Sequence, residues 1–137
     1  MDCVSIIQSV ERFGAELLQD GDHIRIKKGK HLPDSIIASI RTHKQEIIAI
    51  LKKDNQAKQA GLVIAIPGEL YTITLSNVSS IYVEHIEDRW EVWKETHYPH
   101  QRIAISSKII ATGRTFEFVL IKVKRYLNYI IKKREKT

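Results

Sequence analysis

The stretch from Ser35 to Leu51, SIIASIRTHKQEIIAIL, constrains this chain more than any other. Ile36, Ile37, Ile40, Ile47, Ile48 and Leu51 recur at helical spacing while Arg41, His43, Lys44 and Glu46 stay polar. Such a pattern gives a helix one apolar face that other elements must cover. Leu32-Pro33-Asp34-Ser35 predicts the start, with Pro33 fixing φ and Asp34 or Ser35 placed to cap the first N–H groups. The polar step at Thr42-His43 is the point where the stretch can divide into two short helices.

The preceding residues supply candidates for the cover. Val4, Ile7, Val10 and Phe13, joined by Ile6 and Leu17, form a second helical stripe that stops at Gly14, a C-cap candidate. Ala15 to Leu18 is short and able to extend. Asp20-Gly21-Asp22 is a tight-turn signal, and His23-Ile24-Arg25-Ile26-Lys27 alternates strictly, the period of a half-buried strand. The predicted order from about Val4 to Lys53 is helix, hairpin, then one broken helix or two. A lone hairpin is marginal, so it must lie against helices.

Gly14, Leu17-Leu18, Asp20-Gly21-Asp22, Ile24-Arg25-Ile26, Leu32 and the close from Ile40-Arg41 through His43-Lys44, Glu46-Ile47-Ile48 and Ile50-Leu51 together resemble the TubC N-terminal docking domain family. The likeness covers roughly residues 4–52, with Ile in several positions where the family has Leu. The resemblance implies a small αββαα module of modular peptide or polyketide synthases. It further implies recognition of a short segment at the C-terminus of a preceding subunit, an exposed hairpin edge as receptor surface, and a homodimer.

The residues themselves fit a peptide receptor. A two-stranded hairpin leaves backbone donors and acceptors free along an edge, which suits pairing with an extended segment. Ile24, Arg25, Ile26, Lys27, Lys28 and Lys30 are the candidate partner-binding residues, the cations suiting an acidic tail or a free C-terminal carboxylate. Edge lysines also serve simply to keep an unpaired strand soluble. Only about 80 residues follow, too few for a condensation or acyltransfer domain, so the module is expected to be reused in a small protein, such as one carried by a mobile element.

Lys52 to Gly61, KKDNQAKQAG, reads as a linker or frayed helix end, with residues 54–61 as the boundary between modules 1–53 and 62–137. Leu62 to Ile66 is an apolar strand closed by Pro67-Gly68, and Glu69 to Leu75 alternates as another. Asn77 to Ser80 breaks the pattern. Ile81 to Ile86, Arg89 to Glu95 and Arg102 to Ala111 predict further strands, separated by Glu87-Asp88 and by a loop from Thr96 to Gln101. From Thr115 the period turns helical, with Phe116, Val119, Leu120, Val123, Leu127, Ile130 and Ile131 on one stripe and Phe118, Ile121 and Tyr129 off it. The fold class expected is α+β, an αββαα module followed by a small, mainly antiparallel sheet with a long C-terminal helix.

Charge separates the chain into thirds. The 137 residues carry a net +6, but residues 101–137 hold ten Lys/Arg against two Asp/Glu, whereas 54–100 hold three against seven. Arg102, Lys108, Arg114, Lys122, Arg125, Lys132 and Lys133 are therefore candidate nucleic-acid contacts, although a lysine-rich helix also has a plain solvated face. Gly113-Arg114 before the helix is a candidate phosphate cradle, set against an ordinary strand-to-helix turn capped by Thr112 or Thr115. Trp90 and Trp93 fall on opposite faces of one strand, which predicts one core ring and one interface anchor beside Tyr82 and Tyr98.

Catalytic signals are absent from the sequence. His85, His97 and His100 with Glu84, Glu87 or Asp88 are of metal-ligand type, but their spacing matches no ligand motif. Cys3 is the only cysteine and has no sequence partner; no triad, P-loop or cofactor loop is present. A non-catalytic, cofactor-free binding protein is expected, located in the cytoplasm because no signal peptide or apolar run of about 20 residues is seen. The expected partner is a protein or peptide segment, with nucleic acid as the alternative and no membrane.

Overall fold

The computed structural model describes residues 2–98 and 104–135, which form four helices and two antiparallel sheets. Two compact units result: Met1–Gln56 with Ile66–Gly68, and Ala57–Ala65 with Glu69–Thr137. The class is α+β with a C-terminal helix. Among the described residues no helix is long and apolar enough to cross a membrane.

In the first unit, α1 spans Cys3–Arg12, its first N–H groups met by Asp2, whose carboxylate accepts from Ser5 N at 2.7 Å. The helix stops at Gly14 in a Schellman arrangement: Gly14 N–H donates to Glu11 O and Ala15 N–H to Val10 O, with Gly14 at φ 78°. Cys3, Ile6, Ile7 and Val10 are buried, whereas Phe13, expected on the stripe, is 46% exposed because the chain has already left the helix there.

β1 (Glu16–Asp20) and β2 (His23–Lys27) then pair from Asp20↔His23 to Glu16↔Lys27. The loop is Gly21-Asp22, with Gly21 at φ 59° in the first central position, the pattern of a type II′ turn.

α2 (Asp34–Thr42) and α3 (Lys44–Gln59) break where the sequence suggested. Ser39 Oγ and Thr42 Oγ1 each donate to the carbonyl four residues back, a contact that bends helices, and His43 sits at φ −107°, ψ 25°. Pro33 is the N-cap residue and no side-chain cap bond forms, so Asp34 and Ser35 do not cap. Ile36, Ile40, Ile47 and Leu51 are buried with the α1 residues, Leu17 and Leu32 in one core.

Of the two readings of Lys52 to Gly61, a linker or the end of a helix, the structure has the second: α3 runs on to Gln59. It ends in a second Schellman motif, Gly61 N–H to Lys58 O and Leu62 N–H to Ala57 O, with Gly61 at φ 89°. Within the first unit, buried Asp54 accepts from Gly68 N at 2.9 Å.

The second unit is a five-stranded meander, β3 (Val63–Ile66), β4 (Leu70–Ser76), β5 (Ser79–Ile86), β6 (Arg89–His97) and β7 (Ala104–Gly113), in sequential order, followed by α4 (Phe116–Glu135). β5 begins earlier than composition suggested: Ser79 and Ser80 are buried and pair with Thr96 and Glu95, so cross-strand bonding overrides their turn character. β6 likewise extends past Glu95 to His97. Residues 99–103, including part of the expected loop and Arg102, lie outside the described residues. Tyr71, Ile81, Val83, Trp90 and Val92 pack with Phe116, Val119, Leu120 and Val123 of α4. Cover thins along the helix: Tyr126 and Leu127 still pack on this core but are only partly buried, and Ile131 is 53% exposed.

Candidate functional site: a groove beside the second hairpin strand

The register decides which backbone groups of β2 are free. In a two-residue-loop hairpin closed by Asp20↔His23, ladder bonds recur at every second pair, Leu18↔Arg25 and Glu16↔Lys27. The N–H and C=O groups of Ile24 and Ile26 therefore point away from β1. No described strand adjoins that side, since the sheet has two strands only.

The side chains of these two residues share the face of buried Leu17 and look toward α2. Ile24 packs on the first core, and Ile26 remains 38% exposed. Together with His23, Ile37, Ile40, Arg41 and Lys44 they line a groove of about 270 Å³. Its floor is isoleucine and its rim is cationic, an arrangement suited to an extended chain carrying apolar side chains inward and acidic groups outward.

The candidate residues named from sequence are thus divided. Ile24 and Ile26 line the groove. Arg25 and Lys27 stand on the opposite hairpin face and are exposed. Lys28, at φ 58°, lines a separate cavity of about 380 Å³ with Lys27, Glu11 and Glu16. Lys30 is exposed beyond the strand and does not line the groove. The groove cations are instead Arg41 and Lys44, which sequence reasoning left in the helix; the alternation of β2 already placed Arg25 and Lys27 away from Ile24 and Ile26.

The basic candidates of the second unit do not form one face. Lys108 stands directly opposite Lys94 across β6 and β7. Lys94 in turn lines a cavity of about 330 Å³ with Ser79, Tyr126, Tyr129, Lys133 and Arg134. Arg134 donates to Leu75 O at 2.8 Å. Lys122 lies 5.3 Å over the Phe118 ring, and Arg114, Arg125 and Lys132 are exposed elsewhere on the helix and its entry. The Gly113 turn is an ordinary one: Thr115 Oγ1 accepts from Phe118 N at 3.2 Å, and a Cβ on Gly113 would fall 2.5 Å from the Phe118 ring.

The tryptophans separate as their spacing predicts. Trp90 is 3% exposed among Tyr71 and Phe116, while Trp93 is half-buried on the other sheet face, stacked on Tyr82 with its Nε1 donating to Glu95.

Among the described residues the histidine constellation does not assemble. His85 contacts Glu69 at 3.3 Å and stacks on Trp90, and His97 Nδ1 is buried without a partner. His100 lies outside the described residues. The described residues bring together a different set, Cys3, His43 and Glu46, whose ligand-type atoms lie within 4.8 Å of one another. Cys3 Sγ donates to Glu46 Oε2 at 3.1 Å; burial, and then that carboxylate, push the thiol pKa up to about 11. Comparison with protein-family models, with curated proteins and with solved structures gave no match for this chain.

Proposed function

We propose that the chain is a non-catalytic docking protein that captures an extended, acidic segment of a partner protein by strand addition to β2. The observation that carries this is the coincidence of a free strand edge at Ile24 and Ile26 with an isoleucine-floored groove rimmed by Arg41 and Lys44. Main-chain bonds would give affinity, the groove would select alternate apolar side chains, and the cations would select acidic ones. The TubC-type resemblance points the same way, toward a C-terminal segment as the occupant.

The test uses peptides displayed with free C-termini, half of them enriched in Asp and Glu, selected on the purified chain. Enrichment of acidic sequences alternating with apolar residues is expected, with affinity lost in Arg41→Glu/Lys44→Glu and largely kept in Arg25→Glu/Lys27→Glu. Selection of neutral peptides indifferent to Arg41 and Lys44 would contradict the proposal.

One observation favours a second role. Lys94 and Lys108 face each other directly, a like-charge pair that ordinarily disfavours pairing, and Lys133 and Arg134 join Lys94 around one cavity. Such a cluster suits a phosphate backbone. Nucleic-acid binding there would weaken steeply with rising salt and would depend on Lys94 and Lys133, whereas strand addition weakens modestly and depends on the groove.

A further inference from the structure

We infer that the first unit holds a divalent zinc ion between Cys3, His43 and Glu46. The three residues come from two distant parts of the chain, the first turn of α1 and the α2–α3 junction, yet their donor atoms converge. Cys3 Sγ and Glu46 Oε2 are 3.1 Å apart, His43 Nδ1 and Glu46 Oε2 are 4.0 Å apart, and all lie within 4.8 Å. Around a tetrahedral zinc with bonds of about 2.0–2.3 Å, neighbouring ligand atoms stand roughly 3.3–3.6 Å apart. The set therefore needs closure by about 1 Å on its longest side.

The residues that must move are free to do so. The His43 and Glu46 side chains are 35% and 73% exposed, whereas Cys3 is 8% exposed and fixed in its helix. His43 is anchored by its backbone, its N–H donating to Ser39 O and its carbonyl accepting from Ile47 N, so the ring starts from a defined position. The exposure of His43 and Glu46 gives solvent access to the cluster, from which a water would complete four ligands.

The donor chemistry selects the ion. Thiolate, imidazole and carboxylate together suit zinc, and a hard cation such as Mg²⁺ or Ca²⁺ would not choose sulfur. On binding, zinc takes the place of the thiol proton, which is released to solvent, and its +2 charge balances the thiolate and the carboxylate. The site would cross-link the start of α1 to the helix junction that carries Arg41 and Lys44.

The test strips the full chain with chelator, then titrates Zn²⁺ against a chromophoric competitor and, separately, Co²⁺ by absorption. One equivalent is expected to bind, with a thiolate-to-cobalt charge-transfer band and the strong visible bands of tetrahedral cobalt. Cys3→Ser should abolish the charge-transfer band, and His43→Ala and Glu46→Gln should each weaken zinc by at least about tenfold. Thermal unfolding in chelator checks that each variant folds, and the wild-type cobalt spectrum stands whether or not they do. No charge-transfer band, or a zinc affinity equal in wild type and all folded variants, would overturn the inference, since binding at His85 or another surface histidine would give that result.

Discussion

At the scale of single residues, Gly68 and Gly14 make a matched pair. Both take positive φ, 72° and 78°, so an alanine at either is strained by roughly 1–2 kcal/mol. They differ in surroundings: a Cβ on Gly68 would lie 3.0 Å from Ile50, and one on Gly14 meets nothing within 4 Å. Gly68→Ala should therefore lower thermal stability more than Gly14→Ala, and equal effects would show that the Ile50 contact yields freely. Cys3 provides a pH test in the metal-free protein. The folded chain keeps the thiol proton to about 11, while an unfolded thiol releases it near its ordinary value of 9. Between those values the folded state binds more protons, so the stability contributed by the buried thiol is fully present below that window and should fall as pH rises through it. Urea titrations of wild type and Cys3→Ser at pH 7 and pH 10 measure the difference, and alkylation of Cys3 at pH 7 should be slow until denaturant is added.

At the scale of elements, β2 carries the account because its two edges do different things. Ile26 spends neither its N–H nor its C=O on the β1 ladder. Ile26→Pro should leave the fold in place at a cost of about 1 kcal/mol, as edge strands tolerate proline, yet weaken peptide capture by at least about tenfold. Much of this architecture was legible in the sequence. Strict alternation marked β2, the isoleucine spacing marked α2 and α3, and Gly14 marked the end of α1, which it closes at positive φ. What escaped was non-local. The end of α3 is polar but for Ala57 and its pattern left linker and helix end equally open, so its helicity follows from the Gly61 closure and the packing of Ala57. Ser79 and Ser80 became strand because β6 pairs with them. The groove cations were missed since Arg41 and Lys44 meet Ile24 only through tertiary packing, and Cys3 lies 43 residues from Glu46.

At the scale of the molecule, charge is distributed as two separate opportunities. Arg41 and Lys44 border a groove in the first unit, and Lys94, Lys133 and Arg134 border a cavity in the second. Lys94→Glu/Lys133→Glu should leave capture of acidic peptides unchanged, and any duplex or single-stranded DNA binding should disappear with it; fluorescence anisotropy across a salt series separates the two. The most direct measurement of the central claim is amide hydrogen exchange of the isotopically labelled chain, with and without a selected acidic peptide at saturation. Strand addition predicts that the Ile24 and Ile26 amides, exposed on the free edge, become strongly protected, while Arg25 and Lys27, already bonded to β1, change little. Saturating peptide that leaves Ile24 and Ile26 exchanging as before, or that protects only residues of α4, would contradict the account.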